Sequence, residues 1–155
     1  MLTRPAGART GRRTLAAVAC LGAVLTSCSA GSAVTDTVST AAQDSSSAIA
    51  TAKLAVGLDS GGRLTKAATS TALEDALKEV QTSRDTVLRL SPASPEDRQV
   101  REEALKVLDS SAASLTTARN AVSSDDGGPS LSDGDKALAS AEDALEQLTS
   151  KVGKK

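Results

Sequence analysis

The sequence contains no phenylalanine, tryptophan or tyrosine among its 155 residues. Its hydrophobic core must therefore be built from leucine, isoleucine, valine and alanine alone. After residue 27 there are 24 Leu, Ile and Val residues in 128, about 19%, which is little apolar material to offset the chain entropy lost on folding. Alanine is abundant, has the highest helix propensity and lets helices pack closely. The composition favours an all-α protein with a thin aliphatic core.

The N-terminal segment has the charge pattern of an export signal. Residues 1–13 contain four arginines and no acidic residue, and residues 14–25 are uncharged and mostly apolar. Twelve helical residues span about 18 Å, well short of the hydrocarbon layer of about 30 Å. A removed signal peptide therefore fits this segment better than a spanning helix.

The apolar run ends in Leu25-Thr26-Ser27-Cys28, which resembles the lipobox of bacterial lipoproteins. This resemblance covers residues 1–28 only. It implies that the Cys28 thiolate accepts a diacylglyceryl group, that cleavage follows just before Cys28, and that the protein is anchored at the extracytoplasmic face of the cell membrane. Residues 1–27 are then the signal peptide, residues 28–33 a lipidated tether and residues 34–155 a helical domain.

Alternatives to this processing remain open. A secreted protein cut after Ala30 or Ala33 has small residues at the required offsets. An uncleaved anchor is a second alternative, because residues 14–35 contain no charge, although the second half of this stretch is poorly apolar. Arg12-Arg13-Thr14-Leu15 also resembles part of a twin-arginine export signal, whereas paired arginines occur in general secretory signals as well.

The charged and reactive side chains exclude several functional classes. Without residues 1–27 the chain has 14 basic and 19 acidic side chains, a net charge of −5, which argues against nucleic-acid binding. This part has no His or Met, and its one cysteine is the predicted lipidation site, so the usual ligands of zinc, copper and haem and the commonest general base are missing. We expect no enzymatic activity, cofactor, metal site or disulfide.

Two loops contain residues that also occur in ion sites. One contains clustered carboxylates and glycines, but no twelve-residue ligand frame ends in a glutamate, so a solvated loop is favoured over a calcium site. Gly61-Gly62-Arg63 could hold an anion at the start of a helix, but no phosphate-loop pattern accompanies it and a plain turn is favoured. The carboxylates of the first loop are Asp125, Asp126, Asp133 and Asp135.

Hydrophobic spacing predicts four helices, over residues 34–58, 65–90 and 95–122 and from a cap at Ser130 or Ser132 onward. Gly61-Gly62 should end the first helix, and Ser94 followed by Pro95 should begin the third. The residues expected to face inward are Val34, Val38, Ala41, Ile49, Ala52, Val56, Leu73, Leu77, Val80, Val87, Leu88, Val100, Ala104, Val107, Leu108, Leu115, Val122, Leu138, Ala141, Leu145, Leu148 and Val152.

The second helix supports two finer predictions. Glu74 with Lys78, and Asp85 with Arg89, have the i, i+4 spacing of ion pairs on the outer face. Thr71, three residues before Glu74, has the spacing of a capping box and could cap an internal restart of the helix.

Short connections between the four helices favour an antiparallel up-down bundle. A rival arrangement is an extended helical hairpin that completes its core by self-association. The expected function is a non-enzymatic helical interaction module, anchored to the membrane through Cys28, whose partner is an envelope protein or a second copy of itself. The alternative is a carrier whose aliphatic core opens for a lipid or another apolar ligand.

Overall fold

A computed structural model describes residues 30–124 and 127–154 of the chain. This part contains four α-helices, and buried side chains from all four form one apolar core. The prediction of an all-α bundle of four helices is therefore confirmed. The predicted signal peptide and Cys28 lie outside the described residues. The helices are α1 (Ala30–Ser60), α2 (Lys66–Leu88), α3 (Pro95–Ser123) and α4 (Leu131–Val152).

Helix α1 is longer than its hydrophobic spacing predicts. It begins at Ala30, so residues 30–33, predicted as part of the tether, are helical. Val34 and Val38 are buried, and packing of this kind stabilises a helix beyond what the propensity of its residues provides. No proline interrupts residues 30–60, and the helix runs without a break to Ser60.

Glycine ends α1 as predicted. Gly62 has a φ of 66°, in the left-handed region that favours glycine. The Arg63 N–H donates to the Leu58 carbonyl at 2.8 Å, and the Gly62 N–H donates to the Asp59 carbonyl at 2.8 Å. These two bonds form a Schellman motif, which satisfies carbonyl groups at the helix end. Gly61-Gly62-Arg63 is therefore the closing turn of α1.

Serine side chains cap α3 and α4. The Asp97 N–H donates to Ser94 Oγ at 3.0 Å, and Pro95 occupies the first turn, as predicted. Ser130, rather than Ser132, caps α4, because its Oγ accepts from the Asp133 N–H at 3.2 Å. Asp133 Oδ2 in turn accepts from the Ser130 N–H at 3.1 Å, which completes a capping box.

Three detailed predictions for α2 are wrong, concerning an internal restart, the burial of Leu88 and the partner of Glu74. It is unbroken from a cap at Thr65, and the Thr71 hydroxyl donates to the Ala67 carbonyl at 3.1 Å, so the predicted internal restart is wrong. Leu88 was expected to be buried but is 45% exposed, because it is the last residue of α2 and the chain turns away after it. Glu74 pairs with Arg119 of α3 at 2.8 Å instead of with its own helix.

The remaining inward-facing predictions hold. All of them are buried except Leu77 and Val107, which are half-buried and pack against the core. Helix α1 contacts the other three helices, whereas within residues 30–124 and 127–154 no Cα of α2 lies within 8 Å of a Cα of α4. The two longest helices, α1 and α3, also approach each other across the bundle. Small side chains are common among the buried residues of these two helices, including Ala41, Ala42, Ser45, Ala52, Ala104, Ser111 and Ala118.

Contacts between neighbouring helices show how α2 runs relative to α3, and how α3 runs relative to α4. Glu74 and Arg84 of α2 pair with Arg119 and Asp109 of α3, so later residues of α2 face earlier residues of α3. On the other side of α3, Glu103 pairs with Lys151 of α4, while Gly134 of α4 lies against Ala118. Helices α2 and α3 therefore run in opposite directions, and so do α3 and α4.

Candidate functional site on the outer face of α1

Charged residues are distributed unevenly among the four helices. Helix α1 has four charged residues in 31, whereas α2 has seven in 23, α3 nine in 29 and α4 seven in 22. Charged side chains normally cover the solvent side of a bundle helix. The solvent side of α1 is thus chemically different from that of the other three helices.

Five exposed residues of α1 form one uncharged row. Gln43, Ser47, Ala50, Leu54 and Gly57 follow one another at steps of four and three residues, and all five are exposed. We call this row the outer face of α1. Leu54 is 64% exposed, more than any other large hydrophobic residue in the described part of the chain. A Cβ added at Gly57 would meet no atom within 4 Å, so nothing inside the bundle requires glycine there.

A groove with acidic walls runs along the side of the outer face next to α2. Its volume is about 460 Å³, and its apolar floor is made of Ala48 from α1 and of Ala72 and Ala76 from α2. Ser47 and Thr51 line it from α1. Its charged residues are Asp44, Asp75 and Glu79, with no cation among the lining side chains. We call it the α2-side groove.

A second groove runs along the opposite side, between α1 and α4. It consists of two depressions of about 430 Å³ each, which share Ala50 and Glu142. The one nearer the start of α1 contains Glu146, and the other contains Lys53, Arg63 and Asp135 with Leu54 and Gly57. We call these two depressions the α4-side groove.

One ion pair crosses the α4-side groove. Lys53 Nζ donates to Glu142 Oε2 at 2.7 Å. This hydrogen bond and the negative charge of Glu142 raise the pKa of Lys53 above its ordinary value. Lys53 is the only cation in α1, and this bond pairs it with Glu142.

The two grooves together give the outer face of α1 a negative surround. Six carboxylates and two cations line them, a local net charge of −4. Within residues 30–124 and 127–154, no cation forms an ion pair with Asp44, Asp75 or Glu79. The α2–α3 seam differs, because there Arg119 and Arg84 each meet a carboxylate of the facing helix.

The two described carboxylates of the predicted acidic loop have different surroundings. Asp125 and Asp126 lie outside the described residues. Asp133 belongs to the α4 capping box, where hydrogen bonds from the Ser130 hydroxyl and N–H lower the pKa of its carboxyl. Asp135 lines the α4-side groove. Among the described residues, no three His, Cys, Asp or Glu side chains are grouped so that they could hold a metal ion.

None of the helices in the described part of the chain combines the length and the apolar character needed to span a bilayer. The predicted lipidation site, Cys28, lies two residues before the start of α1 and outside this part.

The outer face of α1 was not identified from the sequence. Its signal was nevertheless present, because counting charges helix by helix separates α1 from the rest. What the sequence does not reveal is which neighbours flank this face, and therefore that acidic residues of both α2 and α4 surround it.

No family model, curated protein or solved structure gives a significant match to this chain.

Proposed function

We propose that this protein is a lipid-anchored, non-enzymatic interaction module of the cell envelope, and that it binds a partner through the outer face of α1. The observation that carries the proposal is the uncharged, exposed row of α1 that includes Leu54. The centres of protein interfaces are depleted of charged residues, and their rims are polar. The outer face of α1 and its two grooves have this composition.

The position of the predicted anchor supports a partner near the membrane. Only Ser29 lies between Cys28 and Ala30, so the two residues are at most about 7 Å apart. An acylated Cys28 would thus hold the start of α1 next to the lipid surface. Measured along α1, the outer face extends from about 20 Å to about 40 Å from the first residue of the helix. A partner bound there would therefore lie no more than about 50 Å from the lipid surface.

The anchor is tested by comparing the parent chain with Cys28→Ala in cells. Membranes are fractionated, and the N-terminus of the processed protein is weighed by mass spectrometry. We expect a membrane-bound parent that begins at an acylated Cys28, and a variant that is released or unprocessed. A soluble, unacylated parent cut near Ala30 would contradict the anchored state and favour a secreted protein.

The interaction face is tested by photo-crosslinking in cells. A photoreactive amino acid replaces Leu54 on α1 in one strain and the exposed Lys106 of α3 in a matched control strain. We expect one recurring protein adduct from position 54 and none at comparable yield from position 106. Equal yields from the two positions would contradict a dedicated face. An apolar ligand that stays bound to the purified protein in a one-to-one ratio, without protein adducts, would favour the carrier alternative instead.

A further inference from the structure

We propose that the occupant of the outer face of α1 is a cationic amphipathic helix of a protein partner. The proposal deepens the interaction function described above and depends on it. It is carried by the shape of the two grooves, the exposed Leu54 and Gly57, and the charge on both sides of the row.

The shape of the site fits a helix. The outer face and its grooves run along residues 43–58 of α1, which corresponds to about 22 Å, the length of a 15-residue helix. Gly57 has no side chain and faces open space, so a helix backbone could approach α1 closely there. Leu54, one turn away, projects far enough to insert between side chains of the approaching helix. Grooves of this kind bind helices through apolar residues at spacings of three and four.

The charge of the site selects the partner. Asp44, Asp75 and Glu79 lie on the side of α2, and Glu142 and Glu146 lie on the side of α4. A bound helix with an apolar row against α1 would therefore face carboxylates along both of its flanks. Lysine or arginine at these flanking positions provides the complementary charge.

The same charges disfavour a second copy of this chain as the occupant. In a dimer with α1 against α1 in parallel, the α2 side of one copy faces the α4 side of the other. Both sides are predominantly acidic, and like charges facing one another are destabilising. Arg63 and Lys53 are the only cations of the site, and Lys53 is already bonded to Glu142.

The test uses the acylated protein in nanodiscs of uncharged phosphatidylcholine and a labelled 20-residue model peptide. The peptide is helical, with a leucine and alanine row that has lysine on both flanks, and a matched peptide has glutamate in place of lysine. Binding is followed by fluorescence anisotropy, with empty nanodiscs as the blank. We expect saturable binding of the lysine peptide only, weakening as salt is raised.

Variants assign that binding to the site. Asp75→Asn should raise the Kd of the lysine peptide about twofold to fivefold, the range of one exposed ion pair. The combination of Asp44→Asn, Asp75→Asn and Glu79→Gln should raise it about tenfold or more. Glu102→Gln removes an exposed carboxylate from α3 and should leave the Kd unchanged. Equal binding of the two peptides, or an unchanged Kd in the triple variant, would overturn the cationic partner.

The outcomes distinguish a failure of the cationic partner from a failure of the interaction function itself. If the crosslinks from position 54 persist in cells expressing the triple variant, the docking face stands and the cationic partner is overturned. If the parent gives no position-dependent crosslink, the interaction function itself fails. Crosslinks from position 54 to a second copy of this chain, with a dimer in sedimentation analysis, would also overturn the proposed occupant.

Discussion

Lys53 of α1 and Glu142 of α4 are joined by a 2.7 Å bond between Nζ and Oε2, directly beside the outer face of α1. The bond neutralises one carboxylate of the α4-side groove and leaves Glu146 there without a cation among the residues that line the same depression. No cation lines the α2-side groove. The two sides of the outer face therefore differ in how much negative charge they offer to a partner.

Replacing Lys53 should strengthen the binding of a cationic helix. Lys53→Gln frees Glu142 and makes the α4-side groove more negative, so we expect the Kd of the lysine peptide to fall about twofold at low salt. Lys106→Gln on α3 is the matched control and should have no effect. Anisotropy titrations at two salt concentrations measure both variants. A weaker affinity in Lys53→Gln would indicate that the ion pair itself holds the site in shape.

Replacing Gly57 with alanine should stabilise the fold and weaken the binding of a partner helix. A methyl group at this exposed helical position meets no atom within 4 Å, so Gly57→Ala should raise the free energy of unfolding by about 0.5–1 kcal/mol. The same methyl group should weaken binding of a closely packed partner helix. Urea unfolding followed by circular dichroism, together with the peptide titration, measures the two effects.

Gly134 provides the contrast within α4. A Cβ at Gly134 would lie 3.0 Å from the Ala118 Cα and 3.2 Å from the Ala121 Cβ of α3. Gly134→Ala should therefore lower the free energy of unfolding by about 1 kcal/mol or more, because the α3–α4 contact must open. A stabilised Gly134→Ala would show that α3 and α4 have room for a methyl group at this contact.

The core contains a hydroxyl group that weakens the fold. Ser45 is completely buried, and its Oγ has no hydrogen-bond partner among the residues that the structure describes. Ser45→Ala should raise the free energy of unfolding by about 1 kcal/mol, because an unsatisfied buried polar group is removed. Ser111 is equally buried, but its Oγ donates to the Val107 carbonyl at 2.9 Å, so Ser111→Ala should change stability much less. Equal effects of the two substitutions in urea unfolding would argue against this difference.

The α4 capping box makes stability depend on pH. Hydrogen bonds from Ser130 lower the pKa of Asp133 below its ordinary value of 3.8. The box therefore stabilises the fold at pH values above 3.8, and this contribution is lost as the pH falls through the lower pKa of the folded state. We expect Asp133→Asn to lose less stability than the parent between about pH 4 and pH 2. Parallel acid-dependence curves would contradict an ionised Asp133 in the box.

Much of the fold could be predicted because the signals are local. Ser94-Pro95 and Gly61-Gly62 determine where helices begin and end through their own backbone and side-chain chemistry. The spacing of Leu138, Leu145 and Leu148 places them on one buried face.

The unpredicted features depend on neighbours that are distant in sequence. Glu74 has a suitable partner within its own helix at Lys78, yet it pairs with Arg119, because α3 lies beside it. The acidic surround of α1 has the same origin, since its carboxylates come from three helices. Sequence periodicity shows which residues point outward, and only the packing of the helices shows what lies next to them.

The central claim, that a partner covers the outer face of α1, is tested most directly by thiol accessibility in intact cells. Cys28 is the only cysteine after residue 27, so Ala50→Cys on α1 and Ser110→Cys on the exposed side of α3 each introduce one new thiol, and the parent chain gives the background. The rate of maleimide labelling is compared between cells and purified protein. We expect labelling at position 50 to be at least severalfold slower in cells and labelling at position 110 to be unchanged. Equal rates at position 50 in cells and in the purified protein would contradict a covered α1 face.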